Sequence, residues 1–149
     1  MVDTNLLLLL LVGNVDQRLI GIVGRTQDYR LADYQRLIQV LVQFERVVFL
    51  PQVLSEVGNL VLKNCPTENM KYDLLRAFER FVFSPGSLEA RVMSQRVVSH
   101  VSFHKVGYTD AAILAAASGR YLVLTADGPL QGIAQLGQAD VLPFQWLRT

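Results

Sequence analysis

The order of apolar runs predicts an α/β fold, a three-layer α/β/α arrangement with a mainly parallel central sheet flanked by helices. Two observations carry this expectation. Short β-rich runs at residues 47–50 and 121–125 alternate with longer segments whose apolar residues recur at three and four, and strands that alternate with helices build a parallel sheet. The chain has 149 residues, 51% apolar and 18% charged. That is enough for a single domain, 1–149, with its own core, and too little charge for a disordered chain.

The elements follow in order. Residues 1–4 form a short strand, and residues 5–12 either extend it or open a first helix, because so short an apolar run has no readable period. Gly13, Gly21 and Gly24 make residues 13–26 loop-like. Leu31, Tyr34, Leu37, Ile38, Leu41 and Phe44 define one face of an amphipathic helix over residues 30–46. A buried strand covers 47–50. Pro51 then suits the first turn of a helix over 52–63, closed by Asn64, Cys65 and Pro66. A further helix spans 68–82 with Met70, Leu74, Phe78 and Phe81 inward, and Ser84, Pro85 and Gly86 turn the chain. A less regular helix is expected over 88–101, and a short one over 109–118 with Gly119 just past its end. A strand over 121–125, a helix over 130–136 and a strand over 141–147 complete the chain. The last lies at the sheet edge, because Pro143 cannot donate to a ladder.

Composition excludes several function classes. Fourteen basic residues face 13 acidic ones, a formal charge of +1, so no overall field draws in nucleic acid, membrane or acidic partners, and any such contact is local. One cysteine, Cys65, leaves no disulfide within the chain and suits a reducing compartment. The apolar run 6–12 is about a third of a bilayer span, and the charge before it is Asp3, where a signal peptide carries Lys or Arg. A cytoplasmic protein without a membrane span is expected. The apolar excess points to a homodimer. Gly-x-Gly-x-x-Gly, Walker A and Gly-x-Ser-x-Gly patterns are absent from the sequence, which sets aside dinucleotide dehydrogenases, P-loop enzymes and serine hydrolases.

Ligands of such sheets gather at the carboxyl ends of the strands. Asp3 and Asp127 stand there. Glu56 and Asp110 lie on helices beside apolar runs, whereas Asp33, Asp73 and Glu79 sit among polar neighbours on outer faces. Each of the first four also has an ordinary reading. Asp3 suits an Asx-turn or an N-cap. Glu56, at the margin of the Val53, Val57, Leu60 and Val61 stripe, either snorkels or points into a cleft. Asp110 sits in a first helical turn, where the macrodipole favours an acid. Asp127, in Thr125-Ala126-Asp127-Gly128-Pro129, suits a turn.

Four short segments, in this order, resemble the PIN-domain family of metal-dependent ribonucleases, which includes the VapC-type toxins. They are Val2-Asp3-Thr4-Asn5-Leu6, Leu54-Ser55-Glu56-Val57, Tyr108-Thr109-Asp110-Ala111-Ala112-Ile113 and Leu124-Thr125-Ala126-Asp127, and the resemblance covers essentially the whole chain. It implies that Asp3, Glu56, Asp110 and Asp127 form a catalytic, metal-binding quartet, with Asn5 and Thr125 as polar supports. It implies an RNA substrate and hydrolysis of phosphodiester bonds. The toxins of that family pair with antitoxins, which makes an antitoxin protein a candidate partner. Two departures stand out: only two residues precede Asp3, so the first strand is short, and Gly128-Pro129 replaces the charged residue often found after the last acid.

Four carboxylates in one half-buried cleft repel each other, and a divalent cation resolves the repulsion. Hard oxygen ligands suit Mg²⁺ or Mn²⁺, and such an ion acidifies water for in-line attack on a phosphodiester. Asp3 and Asp110, then Asp127, are the expected direct ligands; Glu56 either joins them or orients the attacking water. Arg91, Arg96 and Lys105, in an acid-free stretch over 91–105, are expected to meet phosphates, the alternative being a solvated helix face. His100 and His104 have the i, i+4 spacing of a helical zinc pair but lack a third ligand. The competing expectation is a PIN-like module without nuclease activity that binds RNA or a protein.

Overall fold

The computed structural model describes residues 1–134 and 137–148. Its first helix, α1 (Thr4–Val15), starts directly after Asp3, whose carboxylate accepts a hydrogen bond from the Leu6 amide at 2.8 Å. This settles the ambiguity of residues 5–12 in favour of helix. Every residue from Leu6 to Gly13 is buried. A helix that is apolar on all sides belongs inside the protein, and α1 is packed against α2 (Leu31–Leu41), α3 (Pro51–Asn64) and α4 (Glu68–Phe83).

Four short strands accompany these helices. β1 (Val47–Phe49) pairs in parallel with β2 (Ser87–Glu89), placing Val48 opposite Leu88. β3 (Val123–Thr125) pairs in parallel with β4 (Val141–Pro143), placing Leu124 opposite Leu142. Residues 1–3 lie between the two pairs. The Val2 amide donates to the Val48 carbonyl at 3.1 Å, the Asp3 amide to Leu124 at 3.2 Å, and the Leu124 amide to Met1 at 2.8 Å. The fold is therefore mixed α/β, largely helical, with all strand pairing among the described residues parallel. No helix of the described residues is long and apolar enough to cross a membrane.

The expected helices over 52–63, 68–82 and 109–118 appear as α3, α4 and, after the short α5 (Ser94–Val98) and α6 (Phe103–Val106), α7 (Tyr108–Ala117). Gly119 has φ +67° just past α7, a left-handed conformation that glycine adopts without strain. Leu74 is fully buried on α4, and Phe81 meets the ring of Phe49 at 5.3 Å between centroids. β4 stands at the edge, as Pro143 requires.

Other expectations need correction. Residues 13–26 are not simply a loop: α1 continues to Val15, and 3-10 turns follow at Gln17–Leu19 and Gly24–Asp28. Gly13 lies within this helix, and the Tyr34 ring packs where a Cβ would stand, 2.2 Å from Cδ2, so the position has room for glycine alone. Helix α2 stops at Leu41, and Phe44, expected on its apolar face, is 46% exposed. The helix expected over 88–101 is instead β2 followed by α5. An edge strand recruited by backbone pairing with β1 carries no apolar period to read, and the pairing runs on through the Ala90 amide to the Phe49 carbonyl at 2.9 Å. The last strand ends at Pro143, and Phe144–Leu147 is a 3-10 turn. Helix α8 covers Gly128–Ala134; residues 135 and 136 of its expected span lie outside the described residues. Asp33 is buried rather than on an outer face, because Arg148 reaches it with Nε at 2.8 Å and Nη2 at 2.9 Å.

Candidate functional site

Asp3 sits where the start of α1 meets the end of β3. Its Oδ1 caps α1 through Leu6, and its Oδ2 accepts from the Thr125 hydroxyl and from the Ala126 amide at 2.8 Å. The capping role and the site role thus fall on the two oxygens of one carboxylate. Burial pushes the Asp3 carboxyl above its ordinary range; the donors from Thr125, Leu6 and Ala126 oppose that rise, and the nearby Asp127 charge adds to it.

Thr125 also accepts from the Asp127 amide at 2.9 Å, and Asp127 Oδ1 in turn accepts from the Leu130 amide at 3.0 Å, so the turn after β3 starts α8 and fixes the acid together. Glu56 arrives from the middle of α3. Its Oε2 accepts from the buried Thr4 hydroxyl at 3.1 Å, and Oε1 lies 3.6 Å from Arg25 Nη1. Asp110 arrives in the first turn of α7. Burial raises its pKa to about 6, helped by the charges of Asp127, Glu56 and Asp3 and opposed by Arg25.

These four acids, with Asn5 and Arg25, line one cavity of about 240 Å³. Asn5 Oδ1 is buried and finds no hydrogen-bond partner, which is costly for a polar atom unless something else meets it. Among the described residues, no group of three His, Cys, Asp or Glu side chains is arranged to hold a metal ion as it stands. The donor set is nevertheless hard oxygen throughout, and with the unpaired Asn5 oxygen beside it, it fits the chemistry of Mg²⁺ or Mn²⁺.

The expected phosphate strip does not join this cavity. Arg91 is paired with Glu89 at 2.6 Å, while Arg96 on α5 and Lys105 on α6 are exposed and line no part of it. His100 lies in the turn between α5 and α6, its Nδ1 2.7 Å from Ser102 Oγ, and His104 lies in α6, so the two never share a helix. The cation that does line the cavity is Arg25. Its sequence neighbourhood is a glycine-punctuated stretch with no spacing signal, and only the packing of the Gly24–Asp28 turn against α3 brings it to Glu56. Compared with protein-family models, with curated proteins and with solved structures, the chain matches none.

Proposed function

We propose that the chain is a Mg²⁺- or Mn²⁺-dependent ribonuclease of three-layer, PIN-like architecture that hydrolyses RNA phosphodiester bonds at the carboxylate cavity. The observation that carries this reading is the convergence of Asp3, Glu56, Asp110 and Asp127 on one cavity, with Asp110 pushed up to about 6. Folding that gathers like charges is unfavourable without a compensating cation. The placement of residues 1–3 between the parallel pairs β2–β1 and β3–β4 supports the architecture.

Asp3, Asp110 and Asp127, with Glu56 beside them, would hold the ion. When bound, it neutralises charge on the phosphate and acidifies water for in-line attack. The residues of the chain do the rest. Thr125 and the Ala126 amide hold Asp3 in one orientation and favour its ionised form. Thr4 turns one oxygen of Glu56 and leaves the other toward Arg25, placed either to bind the ion or to take a proton from the attacking water. A second copy of the chain, inferred from the apolar excess, and an antitoxin protein, implied by the resemblance, are its proposed partners, and the cytoplasm its proposed place of action.

A second reading is a PIN-like module without nuclease activity that binds RNA or a protein. Cleavage of RNA in Mg²⁺ or Mn²⁺, with and without chelator, separates the two. Cutting that the chelator abolishes is expected. No cutting, together with no rise in melting temperature on adding either ion, would overturn the ribonuclease and leave the silent module.

A further inference from the structure

A cavity lined by four carboxylates repels a nucleic-acid chain, so the phosphates flanking the cut bond need cations of their own. Arg25 is placed to supply one. Its side chain is 58% exposed, and its ion pair with Glu56 is long, 3.6 Å; exposed pairs of this kind hold a side chain only weakly. Arg25 also lines a second cavity of about 500 Å³, which shares Asn5 with the first and is bounded by Asp28, Tyr29, Ala126 and Arg148.

The far wall of that second cavity is tied by hydrogen bonds. The Arg148 guanidinium is forked onto the Asp33 carboxylate, donates through Nη2 to the Asp28 carbonyl at 2.9 Å, and lies 5.5 Å over the Tyr29 ring. Asp33, with Asp28 nearby, offsets much of the Arg148 charge. The arginine whose carboxylate contact is loose enough to be exchanged is Arg25.

We propose that Arg25 binds a substrate phosphate and sets the path of the RNA. This rests on the ribonuclease reading of the neighbouring cavity. The cut bond lies among the acids, the adjoining phosphodiester lies in the second cavity between Arg25 and Arg148, and Arg25 exchanges its contact with Glu56 for the phosphate. A guanidinium presents two parallel donors to a phosphate, which suits this exchange.

The test is binding of a fluorescein-labelled single-stranded RNA, followed by anisotropy across a salt series in chelator, beside cleavage in Mg²⁺ by the same preparations. Arg25→Gln is expected to weaken binding about tenfold and to lower the slope of log affinity against log salt by about 0.7, the value for one phosphate contact on a single strand. Arg25→Lys should restore most of both, and Arg80→Gln, exposed on α4 and lining neither cavity, should match the wild type. Arg25→Gln with wild-type affinity and slope overturns the path, as does a wild type that binds no RNA. If that variant also cuts as the wild type does, the ribonuclease reading survives alone. Wild type that binds through Arg25 but cuts nothing in Mg²⁺ or Mn²⁺ supports the phosphate contact and overturns the ribonuclease.

Discussion

The Thr125 hydroxyl donates to Asp3 Oδ2 across 122 residues of sequence, with both side chains buried. Through this bond and the Leu6 cap, a single carboxylate ties the start of α1 to the end of β3. The same threonine receives the Asp127 amide, so two acids of the cavity depend on one hydroxyl.

Thr125→Val keeps the shape and removes the hydroxyl. A buried carboxylate that loses a donor, and an amide that loses its acceptor, together cost about 1–3 kcal/mol. Urea unfolding should show that loss, and Thr125→Ser should recover most of it. Metal-dependent cleavage by Thr125→Val should fall as well, because Asp3 and Asp127 lose their common anchor. Wild-type stability and cleavage in the valine variant would show that the backbone alone positions both acids.

Asp110→Asn tests the crowding of the acids. The folded pKa of Asp110, about 6, lies above its ordinary 3.8. Between these values the folded state holds the extra proton, so the contribution of this group to stability falls as pH rises through that window, and the full penalty is present above about pH 6. Asparagine removes the penalty. In chelator, the melting temperature of the variant relative to wild type should therefore rise from pH 4 to pH 7 and be highest at pH 7. Added Mg²⁺ should raise the wild type more than the variant, and cleavage should be lost. A difference that does not change with pH would remove Asp110 from the crowded cluster.

Gly13→Ala should destabilise the protein even though alanine is the better helix former by about 1 kcal/mol. The new Cβ would stand 2.2 Å from Tyr34 Cδ2, and that ring is held by its hydroxyl bond to Asn14 Oδ1 at 2.8 Å. Displacing a packed ring costs about 1–3 kcal/mol. Chemical denaturation of the two proteins checks the sign, and a stabilised alanine variant would mean that the ring yields freely.

Asp33→Ala removes a carboxylate that serves two partners, the Arg30 amide at the start of α2, at 2.8 Å, and the Arg148 fork. Charge-assisted hydrogen bonds to a buried acid and a lost cap together predict a loss of about 2 kcal/mol. Because the Asp33 side chain is only 9% exposed, salt should screen little of that loss. Denaturation at low and high salt measures both, and a loss that disappears in high salt would mark the pair as a surface one.

The amphipathic helices were legible from their period, and the buried strands as short β-rich runs alternating with those helices. Val53, Val57 and Val61 mark the buried face of α3, and Val123 to Thr125 are buried together. Chemistry confined to one residue was legible too, as at Gly119 and Pro143. The four acids could be singled out from their order and short flanking motifs, and the fold places them around one cavity. The remainder depended on partners far away along the chain. A uniformly apolar run fits helix and strand equally, and its outcome as α1 reflects the Asp3 cap and burial on all sides. Ser87–Glu89 is a strand because β1 offers it a ladder, not because of its own side chains. Asp33 is inside because Arg148, 115 residues on, meets it there. Arg25 reaches the acids only through the turn that carries it to α3. Local periodicity is set within one or two turns of backbone, whereas burial of a charge is decided by the group that compensates it, and only the tertiary structure brings that group into place.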